Sequence, residues 1–332
     1  MLIKESQVST RSSSLLYAIV AAVLGIVAGA LIILVGNPLY VLVGLAGLLG
    51  FVVTLASVEF GLLFLVFITY TRFSDVVVHY YNAPSLAKAF ILLLVVAIFI
   101  RWAVSNARPR GLLLPSVMVV AYGLVGFASL LYAPYKASVI YSLSNYVKDA
   151  LIALVIVALL KRPQQFRQLI YTLLFTGVFI SSFSVHQFVT GNFQSEYGGF
   201  AEAEFMNIVG ETNDYRLSGP VGDPNFFAQV MVVLVLIGVE RFMHDRNVLV
   251  KILAAACAIL SAFTVVFTYS RGATFALLLS LILFFMIYKL KPAQLITMLA
   301  LGIAVFLFAP STYFERVFSI RDILPSSGGQ MD

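Results

Sequence analysis

Between residues 15 and 309 the chain returns repeatedly to apolar runs long enough, or nearly long enough, to cross a bilayer. Inside lipid every backbone N–H and C=O must be paired within the protein. Runs this apolar therefore fold as helices, and the alternation of a β-barrel strand is absent. One globular core could not absorb them. Of 332 residues, 61% are hydrophobic and 11% charged, whereas a soluble domain carries about twice that share of charge.

The runs lie at 15–36, 38–56, 60–70, 86–100, 112–132, 141–160, 166–189, 226–243, 248–268, 274–288 and 293–309. They make eleven expected helices. The run at 60–70 is short for a span, and a parity argument supports it. Lys4 and Arg11 precede the first run, and Arg101, Arg108 and Arg110 follow the fourth. Basic clusters stay cytoplasmic, so an even number of crossings separates the two. With the N-terminus inside, the inner segments hold thirteen of the 21 basic residues against four acids, Glu5, Glu59, Glu240 and Asp245. The outer segments hold eight bases against eleven acids. The expected fold is thus an all-α, polytopic transmembrane helical bundle of about 11 spans, a single membrane domain over 1–332. Its N-terminus is cytoplasmic and its C-terminus is on the far side. No repeat or low-complexity tract is present, and no cleavable signal peptide is expected ahead of the first run. The net charge of +6 reflects this sidedness and implies no nucleic-acid partner.

The longest outer loop, 190–223, carries Glu196, Glu202, Glu204, Glu211, Asp214 and Asp223 against the single base Arg216. It leads into Arg216-Leu-Ser-Gly-Pro-Val-Gly-Asp-Pro-Asn-Phe-Phe-Ala228. Asp223 followed by Pro224 reads as a helix start, a capping carboxylate and then proline at the first helical position. Arg216 then lies beside the positive end of a helix dipole, which suits an anion. The same stretch also reads as an ordinary capped turn with a solvated arginine.

A second stretch, Tyr269-Ser-Arg-Gly-Ala273, is squeezed between two runs. Ser270 reads as the cap of the following helix and pins Arg271 at the outer interface. Contact with an anionic lipid headgroup is the plainer alternative. A third pair, Lys148 and Asp149, falls inside the run at 141–160, about 17 Å from its cytoplasmic end. Ionisable groups at that depth are functional candidates, unless the helix starts later and leaves them among headgroups.

His79, His186 and His244 have no metal-ligand spacing, and Cys257 is the one cysteine, so no metal site is expected. No phosphate-cradling Gly-x-x-x-x-Gly-Lys run and no Gly-x-Ser-x-Gly elbow occurs. No cofactor is expected.

At the Arg-x-Ser-Gly…Pro-Asn and Ser-Arg-Gly stretches, and in helix count and orientation, the sequence resembles the bacterial O-antigen ligase and O-antigen polymerase superfamily of polytopic membrane glycosyltransferases. The resemblance implies a metal- and nucleotide-independent enzyme of the inner membrane. Such an enzyme transfers a glycan from an undecaprenyl-diphosphate carrier to a lipid A core or a growing polysaccharide, on the periplasmic face. It implies that Arg216 and Arg271, with Lys148 and Arg316 as further cations, hold the diphosphate. An acceptor hydroxyl also needs a proton acceptor, for which Glu211, Asp214 and Asp223 are nearest in sequence. The family carries a large outer loop with a functional histidine and further spans. The segment 310–332 is expected to be the start of that loop, with the usual C-terminal portion lacking. Two other readings stay open: a small-anion, bicarbonate-like transporter, and a non-catalytic membrane protein of glycan assembly.

Overall fold

The structure is a computed structural model that describes residues 50, 52–54, 57–82, 84–105, 111–209, 212–288 and 309–319. The runs at 15–36 and 293–308, most of 38–56, and residues Lys4, Arg11, Arg108, Arg110, Glu211 and Arg321 lie outside the described residues. The chain is a helical membrane protein. Five described helices are long and apolar enough to cross a bilayer, and a sixth span results if one bent pair is taken together.

That bent pair is α1 (Val58–Tyr70) and α2 (Phe73–Tyr81), which meet at 57°. Sequence reading places a span at 60–70 and then an outer segment; the structure continues that segment as a second helix. The bend is made at Arg72, in the left-handed region at φ 54°. Thr71 Oγ1 there accepts from the Phe73 amide at 3.3 Å. Next come α3 (Leu86–Ser105), α4 (Leu113–Ala128), α5 (Lys136–Leu159) and α6 (Pro163–Thr190). Pro163 opens α6 at its first turn, where a missing N–H costs nothing. No side chain of α4 is buried, and Leu114, Val117 and Phe127 face outward, the pattern of a helix facing lipid.

The loop read as 190–223 is not irregular throughout. It holds an antiparallel hairpin of β1 (Ala203–Val209) and β2 (Thr212–Leu217), with Glu204 opposite Arg216 and a bulge between Asn207 and Val209. After it come α7 (Pro224–His244), α8 (Val248–Phe267), α9 (Arg271–Ile287) and α10 (Ser311–Phe318).

Four apolar clusters hold the described part together, the smallest of them Val235, Val239 and Ala258 between α7 and α8. Leu65, Ile68, Leu94, Ile152 and Val155 join α1, α3 and α5. Leu174, Ile180, Met231, Leu234 and Cys257 join α6, α7 and α8. Ile208, Leu217, Phe267, Tyr269 and Tyr313 seat the hairpin on the end of α8 and on α10. The second cluster relies on small residues, because helices in lipid associate through close packing rather than through exclusion of water. A methyl added at Gly238 would lie 2.8 Å from the Ala254 carbonyl oxygen and 2.9 Å from the Ala258 nitrogen. One added at Gly177 would lie 2.5 Å from Cys257 Sγ.

The fully buried Cys257 therefore reports on this junction. Gly238→Leu is expected to push α7 off α8 at a cost of about 1–3 kcal/mol. A membrane-permeant maleimide should then label Cys257 faster than in the parent chain, where labelling is expected to be slow.

Candidate functional site

The hairpin end of the bundle is built around one buried cation. Arg216, at 5% exposure, leaves β2 and donates from Nε to the Thr268 carbonyl at 2.8 Å. Its Nη2 donates to Asn225 Oδ1 at 3.1 Å. Thr268 is the C-cap of α8 and Asn225 lies in the first turn of α7. One guanidinium thus ties a strand to two helix ends. Arginine suits the task because its planar fork aims several donors at once.

The two helix starts beside it are capped. Asp223 Oδ1 accepts from the amides of Asn225 at 2.8 Å and Phe226 at 2.9 Å. Ser270 Oγ accepts from the Ala273 amide at 3.5 Å. Ahead of Ser270, Tyr269 is held at φ 51° with its ring 1% exposed. A non-glycine residue in that region costs about 1–3 kcal/mol and persists only when its surroundings over-determine it. Packing of the ring against Ile208, Leu217 and Tyr313 supplies that. The strain turns the chain sharply between α8 and α9 and sets Arg271 at the start of the latter.

Arg271 Nη1 donates to Ser319 Oγ at 3.3 Å. Arg316, on α10, donates from Nη1 to the Ile208 carbonyl of β1. Its Nε is buried without a hydrogen-bond partner among the described residues. The three guanidinium groups lie within electrostatic reach of one another. Burial first, and then Arg316, lower the Arg216 pKa, with Arg271 adding to the effect. Glu204 and Asp223 oppose it. Burial first, and then Arg271, likewise lower that of Arg316. An arginine starts so far above neutrality that Arg216 and Arg316 stay charged at pH 7.

Lys148, the fourth cation read from the sequence, stands apart. It lies half-way along α5, which begins at Lys136, so a late helix start does not remove it from the span. With Asp149 it lines a cavity of about 1020 Å³ walled by α2, α3 and α5. Arg72, His79, Tyr80, Lys88 and Glu202 also line that cavity; Arg216, Arg271 and Arg316 do not. The arginines and the cavity are neighbours through one segment. Pro220, Val221 and Phe226 border the cavity, while Asn225 in the same stretch holds Arg216.

Of the carboxylates near in sequence, Glu211 lies outside the described residues. Asp214 Oδ1 accepts from the Tyr215 amide at 2.7 Å, and its charge reaches the Tyr269 phenol, whose pKa burial raises. Asp223 is occupied as a cap. Sequence reading passed over Asn225, Tyr269 and Tyr80 as site residues. The signals available for Asn225 were its place in the first turn, directly after Pro224, and in the Pro-Asn stretch noted above. Among the described residues no group of three His, Cys, Asp or Glu side chains is placed to hold a metal.

Removing the Arg216 side chain leaves the Thr268 carbonyl and the Asn225 amide oxygen without their donor. Arg216→Ala is expected to cost about 1–3 kcal/mol and to speed amide hydrogen exchange in 203–217 and 266–270. Arg216→Lys should restore only part of the protection, since one ammonium cannot reproduce the fork. Compared with known proteins, the chain matches no family model, no curated protein and no solved structure.

Proposed function

We propose that the chain transfers a glycan from an undecaprenyl-diphosphate carrier to an acceptor, a lipid A core or a polysaccharide chain. The reaction is assigned to the periplasmic face of a bacterial inner membrane. In this reading the bundle has eleven spans, with its N-terminus cytoplasmic and the hairpin end outward.

The observation that carries it is the convergence of Arg216, Arg271 and Arg316, whose charges oppose one another. Like charges drawn together under partial burial are unfavourable unless an anion completes them. Arg316 Nε is a buried donor without an acceptor among the described residues. A diphosphate meets both needs, because it offers several oxygens to planar forks. It also acquires negative charge as the bond to the anomeric carbon breaks, so cations fixed in advance stabilise the transition state more than the ground state.

Within this scheme Arg216 is chiefly the structural anchor, with its Nε and Nη2 engaged. Arg271 and Arg316 present the freer faces to the phosphates. Lys148 in its cavity is better placed to meet sugar or acceptor than the diphosphate.

A second reading draws on the same lysine, since a cation half-way along a span also suits passage of a small anion. The arginines gather at one end of the bundle rather than along a path, which favours transfer.

Arg271→Ala tests the choice, because among the described residues Arg271 makes one long hydrogen bond and its loss disturbs the fold least. Surface glycan on a gel is expected to fall about 100-fold or more with protein level unchanged. Unaltered glycan, together with loss of labelled-anion uptake in vesicles, would replace transfer by transport.

A further inference from the structure

The reading above leaves open which group takes the proton of the attacking hydroxyl, and the inference here rests on that reading. We propose that Glu202 is this proton acceptor, and that the acceptor hydroxyl reaches it through the cavity between α2, α3 and α5.

Glu202 is the carboxylate that belongs to both neighbourhoods. It lines the cavity. Its carbonyl accepts from the amides of Ser218 at 2.9 Å and Gly219 at 3.1 Å, which fixes it to the segment leading into α7. Strand pairing therefore extends one step past Ala203 and Leu217. Glu202 stands two positions before Glu204, and side chains two apart leave a strand on the same face. Glu204 is opposite Arg216 on that face. The Glu202 carboxylate lines the cavity, while its backbone is tied to the segment that runs from Arg216 into α7.

Its side chain is held for the task. Oε1 accepts from the Tyr80 hydroxyl at 2.6 Å, which sets the plane of the carboxylate. Oε2 lies over Gly222, where an added methyl would be 3.4 Å away. Gly222 has φ 77°, a backbone conformation that favours glycine.

The other carboxylates are less suited. Asp75 is paired with Arg72 at 2.8 Å, and Asp223 caps α7. Asp214 does not line the cavity. Asp149 does, but it sits on α5, and among the described residues no hydrogen bond ties it to the 218–226 segment.

In the step itself, the acceptor oxygen forms a bond to the anomeric carbon as the bond from that carbon to the diphosphate oxygen breaks. The electron pair of the broken bond leaves with undecaprenyl diphosphate, beside Arg271 and Arg316. The hydroxyl proton passes to Glu202 Oε2 and is lost to water after release. A base so placed contributes about 100- to 10,000-fold.

Glu202→Gln keeps the shape, and an oxygen for Tyr80, but cannot take the proton. Two measurements decide the matter: binding of undecaprenyl diphosphate to the chain in nanodiscs, and transfer in vesicles from cells that make the lipid-linked glycan. Binding is expected to be unchanged, transfer to fall about 100-fold or more, and Glu202→Asp to recover part of it. Slow maleimide labelling of Cys257 shows that the variant has folded. Transfer at the parent rate, or loss of binding along with transfer, overturns the role of Glu202. Failure of the parent chain to bind undecaprenyl diphosphate, or binding that Arg271→Ala leaves intact, overturns the donor reading and the role of Glu202 with it.

Discussion

Everything at the hairpin end hangs on the buried guanidinium of Arg216. It reaches the C-cap carbonyl of α8 and the first turn of α7 from the second strand of the hairpin. A two-stranded hairpin alone is marginal in water. Here it gains a charged tether and an apolar seat of Ile208, Leu217, Phe267 and Tyr313. Because the same side chain bridges strand and helices, the carboxylates of the hairpin and the cations of the helix ends are held in one fixed relation. Preorganisation of that kind is what stabilisation of developing charge requires.

The helices below provide the rigid base. α7 and α8 approach at Gly238, Ala254 and Ala258, and α6 meets them at Gly177 and Cys257. Such close approach leaves no room for sliding without clashes between backbone atoms. The polar contacts inside the bundle are modest by comparison: Ser181 and Ser261 lie 3.2 Å apart, and Cys257 Sγ is 3.7 Å from the Leu234 carbonyl. Packing sets the arrangement, and hydrogen bonds follow it.

The cavity beside the arginines has a different character. Its cations Arg72, Lys88 and Lys148 are matched by Asp75, Asp149 and Glu202, with Tyr80 and Tyr141 among them. Balanced charge, hydroxyl groups and aromatic faces suit a polar, largely neutral molecule such as a sugar better than a bare anion. In the proposed reaction the phosphate would lie at the arginines and the carbohydrate in the cavity that Glu202 lines.

Local rules made part of this legible from residues alone. Apolar run length marks α3 to α8 within a few residues, since helix formation in lipid depends only on neighbours along the chain. Asp223-Pro224 and Ser270 mark the starts of α7 and α9 for the same reason, as a cap bonds amides two or three residues away. The hairpin was not legible. Its segments are short and their alternation is imperfect, and what stabilises them is the bond from Arg216 to Thr268, 52 positions away, and the apolar seat on α8 and α10. Nor does spacing reveal that Arg316 joins Arg216 and Arg271 while Lys148 lies in another chamber. The pairing of Glu202 with Tyr80, 122 positions away, was equally out of reach. The chain's own order determined which segments are helices and where they begin. Only the tertiary structure decided which charges share a site, because the field that a charge feels depends on distance in space and on burial, and neither is written in the spacing of residues.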